Sequence, residues 1–299
     1  MRTHLDVLRE IAPEQRAALQ STSDRAGLCH LAGYLSALFV TTSWIAGGFP
    51  YWWAALLPQG ILLVFLFTLQ HECTQETPFR SPALNKVVGH AIALILVQPF
   101  IWFRYFHLAH HRYTNDPEND PELLSGAKPE TWPQMIAYVS GLPTWRANMA
   151  VTLQNAIDPK PAPYLPKRSL SRIKREAQIL LACYSGLALS LFWSSAALWL
   201  WIIPVLIAMP FLRLYLLAEH GRCPYVANML ENTRTTYTSR LVRFLAWNMP
   251  YHIEHHSAPN VPFHKLPELH ALMQADLVTT SDSYSSFTKS YTSTLTLDN

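Results

Sequence analysis

Apolar residues in this chain come in runs long enough to span a bilayer, separated by short connections and one long polar excursion. Residues 27–46 form the first run and stop at GGFP; residues 52–70 form the second, with Pro58 inside it. At about 1.5 Å of rise per residue, a helix of about 20 residues covers about 30 Å of hydrocarbon. The GGFPY connection leaves room only for a tight helical hairpin, and Tyr51, Trp52 and Trp53 suit a membrane–water interface. Residues 87–103 are apolar again. Residues 112–177 are a polar excursion containing NDPENDPE, PKPAPYLPKR and SRIKRE, and residues 177–218 hold two further spans dividing near 199–203. The pattern predicts an all-α integral membrane protein with four transmembrane helices, at about 27–46, 52–70, 177–198 and 200–219. Interfacial or re-entrant helices and a histidine-rich cytosolic cap complete it. Residues 1–26 form an N-terminal interfacial segment, residues 27–278 a single domain, and residues 279–299 a Ser/Thr-rich tail expected to be flexible for want of a periodic apolar face.

Composition agrees with a lipid solvent. Half the residues are apolar and only 14% are charged, against about 25% in an ordinary soluble domain. A net charge of +3, without interleaved basic and aromatic motifs, makes nucleic acid a poor partner. Cys29, Cys73, Cys183 and Cys223 have no paired spacing, so neither a disulfide scaffold nor a zinc knuckle is expected. The polar N-terminus lacks the features of a cleaved signal peptide. Lys167, Arg168, Arg172, Lys174 and Arg175 mark the excursion as cytoplasmic. Both termini and the histidine-rich face are therefore expected at the cytoplasmic side of a bacterial inner membrane.

The candidate chemistry lies in the histidines. FHLAHHRYTND, residues 106–116, places His107, His110 and His111 at i, i+3 and i+4, which share one helical face. The same spacing recurs at His252, His255 and His256, while His71 and His220 stand at the ends of apolar runs. Solvated histidines would not explain a repeated pattern. Eight imidazoles exceed the needs of one tetrahedral zinc and suit two metals, although imidazole alone does not choose between iron, zinc, copper and nickel. For His71 and His107 to meet, the apolar segment between them must re-enter rather than cross, broken near Pro99. A zinc peptidase is disfavoured because HECTQ lacks the second histidine of HExxH. A metal transporter would need ligands leading across the bilayer, and these converge near one side.

Around the histidines, Gln75 lies one turn from His71, able to ligate through its carbonyl or to orient a water. Glu219, Glu254 and Asn248 are candidates to fix ligand tautomers. Asn115, Asp116, Asn119 and Asp120 are expected to cap the loop behind the second box. Arg104 and Arg112 suit headgroups or an acidic substrate group, and His90 a hydrogen bond within the helices. His4, His30, His264 and His270 fall outside any box.

HECTQ, FRYFHLAHHRYTNDPENDPE, LLAEHG and NMPYHIEHH, in this order across residues 71–256, resemble the membrane fatty acid desaturase superfamily, which includes related hydroxylases and ketolases. The resemblance implies a four-span enzyme with a cytosolic, histidine-bound pair of irons that uses dioxygen and external electrons. The expected activity is introduction of a carbon–carbon double bond into a lipid or fatty acyl substrate. The alternative is a hydroxylase or monooxygenase acting on a lipid, head group, terpenoid or small amine. The family pattern has a second histidine where this chain carries Gln75. No ferredoxin cysteine set, haem domain or nicotinamide fold occurs in the sequence, so electrons are expected from a separate ferredoxin, rubredoxin or cytochrome-type donor.

Overall fold

A computed structural model describes residues 2–297. It is all-α apart from a two-residue strand pair. Three helical stretches are long and apolar enough to cross a membrane: Pro13–Ala46, Trp52–Gln75 and Leu198–His220. A fourth candidate is the pair Pro82–Leu96 and Phe100–Arg112, bent by 99° at its break. That bend is the re-entrant geometry expected near Pro99. It is built from Val97, a β-branched residue held at φ 57°, followed by Pro99 as N-cap of the next helix. Left-handed backbone at such a residue is uncommon and is tolerated where the surroundings impose it.

The helix expected over residues 177–198 differs. It runs Leu170–Ser190, starting earlier with Arg172, Lys174 and Arg175 in its first turns, and is not among the long apolar helices. Hydropathy placed the span on the apolar half alone. The polar excursion also contains structure that its composition hid: helices Trp132–Ser140 and Leu142–Ile157 meet at Gly141, at φ 70°. A Cβ at Gly141 would lie 1.9 Å from the Met209 side chain. The hairpin therefore docks directly on the Leu198–His220 span, and only glycine suits both the turn and the contact.

The Leu56–Gln75 helix is the central one, packed against the Ile203–His220, Pro82–Leu96, Phe100–Arg112 and Asp24–Ala46 helices. At Gly60 it approaches the Ile203–His220 helix so closely that a Cβ would stand 2.0 Å from the Pro204 carbonyl oxygen. Small residues permit such backbone contact between membrane helices. The N-terminal segment folds over this bundle as helices His4–Glu10 and Pro13–Leu19, burying Val7, Ile11 and Leu19.

The tail expected to be flexible is instead structured. Thr280–Ser281 pairs in parallel with Thr235–Thr236, and Tyr284–Thr292 is a helix begun by a Ser283 capping box. Phe287 and Tyr291 bury against Met135, Leu217 and Ala218. Its apolar face consists of a few aromatics among serines and threonines, too sparse to stand out from the composition.

Candidate metal centre and adjoining cavity

Four helix segments deliver the ligands. The Leu56–Gln75 helix ends on the turn carrying His71 and Gln75, and His220 closes the Ile203–His220 helix. Phe100–Arg112 carries His107, His110 and His111, and the short helix His252–Ser257 carries the third box. The Phe100–Arg112 helix is held through its N-terminal half. The Glu176 carboxylate accepts hydrogen bonds from the Phe100 and Ile101 N–H groups, each at 2.9 Å. This satisfies two unpaired donors at a helix N-terminus and places negative charge at the positive end of its dipole. Arg104 donates to the Thr74 carbonyl and so ties this helix to the end of the first box.

All eight sequence-predicted histidines converge. His71, His107, His111 and His255 form one group, His110, His220 and His256 a second, and within each group the ligand nitrogens lie within 4.8 Å of one another. His252 joins the second group, its Nε2 3.1 Å from His220 Nε2. The groups adjoin where the His111 and His256 rings stack, with centroids 4.0 Å apart. Every member is buried. Burial, reinforced by the neighbouring histidines, holds His252, His255 and His256 well below the usual imidazole pKa. They are therefore neutral at physiological pH, which is the metal-ligating form.

Carboxylates and carbonyls orient several rings from behind. Asp120 Oδ1 lies 2.9 Å from His110 Nδ1 and the same carboxylate accepts from the Asn115 and Glu122 N–H groups, so it both caps the loop and fixes a ring. The Asn232 carbonyl lies 3.3 Å from His220 Nδ1, and Thr114 Oγ1 lies 3.0 Å from His256 Nδ1. Glu219 stands 3.5 Å from His252 Nδ1, close to the ring but without a hydrogen bond to it. Glu72 stands 3.6 Å from His255 Nδ1 and accepts from the Phe263 N–H. Glu72 and Asn232 were not among the expected orienting residues. Glu72 adjoins His71 in sequence and was a findable signal, whereas Asn232 comes from a loop with no motif.

Two expected supporting residues lie elsewhere. Glu254 sits inside the third box but turns away from the ligand nitrogens, pairing with His270 and accepting from Thr235 Oγ1 at 2.5 Å. Adjacent positions on a helix face different directions, and His255 faces the metal group. Asn248 donates to the Phe263 carbonyl at 3.0 Å and holds a left-handed turn at φ 58°. His90 pairs with Glu176 at 2.8 Å, as a helix-bound histidine rather than a ligand. Gln75 is the opposite case. Its side-chain nitrogen lies 3.1, 2.9 and 3.1 Å from the Nε2 atoms of His107, His111 and His255.

The fatty acid desaturase family model matches residues 47–288 of the 299-residue chain. The chain belongs to the fatty acid desaturase family. Among similar curated proteins is an sn-1 oleoyl-lipid 12-desaturase of Picosynechococcus, 32% identical over 94 residues, covering 30% of this chain and 27% of that protein. An acyl-lipid omega-3 desaturase (cytochrome b5) of the endoplasmic reticulum of Arabidopsis thaliana is 32% identical over 115 residues, covering 36% and 28% respectively. A chloroplastic sn-2 acyl-lipid omega-3 desaturase (ferredoxin) from the same plant is 35% identical over 78 residues, covering 26% and 16%. The matched stretches thus span under a third of each relative.

In this desaturase-family chain the histidines open onto a cavity of about 610 Å³. Its walls include His71, His107, His110, His220 and His252, and the aromatic rings of Trp102, Phe103, Phe106 and Trp145. Glu122, Lys128 and Arg213 also line it. Burial would raise the Glu122 carboxyl, but the adjacent Lys128 ammonium and His110 outweigh it and hold Glu122 below the usual carboxylate range.

Proposed function

We propose that this chain is an oxygen-dependent desaturase that introduces a carbon–carbon double bond into a fatty acyl or lipid substrate. Two irons would be held by the two histidine groups, and electrons would come from a separate ferredoxin, rubredoxin or cytochrome-type donor. The observation that carries this is the pair of adjoining, buried imidazole groups on the wall of an apolar cavity. Donor chemistry fits as well. The buried Nδ1 atoms of His71 and His111, and His256 Nε2, have no hydrogen-bond partner, and the convergent Nε2 atoms face one another. Neutral imidazoles cannot all donate across such contacts, so a cation between them resolves the arrangement.

His71, His107, His111 and His255 would hold one ion, and His110, His220, His252 and His256 the other. Gln75 would join the first set. Its oxygen has no partner while its nitrogen faces three imidazole nitrogens. A half-turn of the amide puts a carbonyl oxygen among them. That oxygen would then stand beside the Nε2 atoms of His107, His111 and His255, as a further ligand for the same ion. When bound, the irons supply activation of dioxygen and the oxidising power to remove hydrogen from an unactivated carbon. The protein holds ligand rings through Asp120, Thr114 and the Asn232 carbonyl, and aromatic walls position hydrocarbon beside them while keeping out bulk water. The basic cluster Lys167, Arg168, Arg172, Lys174 and Arg175 supports placing the centre at the cytoplasmic face. The names of the relatives, with ferredoxin in one and cytochrome b5 in another, support a separate donor.

The test is product mass with metal analysis. Iron-replete, purified protein is expected to carry two irons and, with an acyl substrate, a reducing system and oxygen, to yield product lacking two hydrogens. Gain of an oxygen atom instead would convert the assignment to hydroxylase. Less than one bound metal per chain would remove the dinuclear centre.

A further inference from the structure

Of the two cations on the cavity wall, Lys128 pairs with Glu122, whereas Arg213 has no acidic partner among the described residues. Arg213 lies on the Ile203–His220 helix, inside a segment apolar enough to span the membrane, and it lines the cavity. A charged side chain at such a place is costly and marks function. Its guanidinium stacks over the Tyr138 ring, 3.9 Å from the centroid. Its Nε is buried without a hydrogen-bond partner, and among the described residues no carboxylate is within ion-pairing distance. The cavity's carboxylates are committed elsewhere. Glu122 pairs with Lys128, and Glu219 faces His252 Nδ1 at 3.5 Å.

We infer that Arg213 is the anchor for a carboxylate on the substrate, and that this chain takes a free fatty acid, or a similar long-chain carboxylic acid. This rests on the cavity being the substrate site proposed above. A guanidinium fork matches a planar carboxylate through two parallel hydrogen bonds, and stacking on Tyr138 fixes its plane. Arg213 and His220 are seven residues apart on one helix, which puts them on about the same face and about 10 Å apart along the axis. A chain anchored at Arg213 would run past the aromatic rings of Trp102 and Phe106 to the histidines. Arg213 also lies deeper in its span than His220, where a headgroup phosphate fixed at the interface reaches poorly.

Ligand binding to the intact, detergent-solubilised protein tests this without turnover, by titration with palmitate, methyl palmitate and hexadecyl phosphate. Wild type is expected to bind palmitate about tenfold or more tighter than its methyl ester, the scale of a charge-assisted pair. Arg213→Met should erase that difference by weakening palmitate binding far more than methyl palmitate binding, and Arg213→Lys should retain part of it. Equal binding of acid and ester by wild type would overturn the assignment, whatever the fate of the variants. So would an undiminished preference in Arg213→Met, and tighter binding of hexadecyl phosphate than palmitate would reassign the anion. Product analysis is scored separately. Arg213-dependent palmitate binding with no oxidised product under reducing conditions keeps the anchor and removes the desaturase proposal, whereas desaturation of acid and ester alike does the reverse.

Discussion

Replacement of Glu176 is expected to loosen the helix that carries His107, His110 and His111, although Glu176 touches none of them. Its side chain is 6% exposed and accepts from the Phe100 and Ile101 N–H groups at 2.9 Å each. Hydrogen bonds to a charged partner contribute about 1.5 kcal/mol each, so Glu176→Ala should cost about 3 kcal/mol by leaving both donors unpaired. Glu176→Gln keeps one acceptor and should cost about half of that. The third contact, to His90, adds little because the His90 side chain is 43% exposed and water replaces the partner. At about 2 °C per kcal/mol for a chain of this size, the alanine variant should melt about 6 °C lower and the glutamine variant in between. The assay is thermal unfolding of the detergent-solubilised protein, followed by circular dichroism. An alanine variant melting within about 1 °C of wild type would refute the capping argument.

Asp120→Asn weakens the partner of His110 Nδ1, and metal affinity, measured by competition with a chelator, should fall about tenfold to a hundredfold; unchanged affinity would make Asp120 a loop cap only. Gln75→Ala should lower metal affinity and Gln75→His should preserve it, both by the same titration, and a variant set with identical affinities would exclude Gln75 as a ligand. Metal-free protein should be acid-labile through its third box. His252, His255 and His256 are held below their ordinary values when folded, so the unfolded chain binds more protons below about pH 6.5. Stability should therefore be complete above that pH and decline as pH falls below it, and a melting temperature flat down to about pH 5 would contradict the sign. Phe287→Ala, in the C-terminal helix, should cost about 3 kcal/mol if its burial is structural, and an unchanged melting temperature would return the segment to a mobile tail.

What could be recognised in the sequence followed from periodicity and motif. The i, i+3, i+4 spacing fixed which imidazoles share a face, and the need for His71 and His107 to meet led to a re-entrant segment, which the 99° bend provides. Elements that depend on few residues or on distant partners were hidden. The helix at Tyr284–Thr292 presents two buried aromatics among hydroxyl residues, and the Trp132–Ser140 hairpin is placed by one glycine against Met209. Glu254 misled because a carboxylate between two ligands looks like their support, yet the helix turns it towards His270. Glu176 and Asn232 serve the centre across 76 and 12 residues of chain, to Phe100 and His220 respectively. Local pattern carries no trace of such pairings.

The order in which the ligands occur along the chain has a consequence for biogenesis. One group needs His255 and the other needs His256, each added to partners that lie up to nearly two hundred residues earlier. A nascent chain that has not yet emitted its third box holds at most three members of the first group and His110 and His220 of the second. With the two groups holding metal as proposed, neither set would be complete until the polypeptide beyond the Ile203–His220 helix has emerged. Under that proposal an incomplete chain lacks residues for a pair of ions, and iron would be taken up by finished protein rather than by the ribosome-bound form.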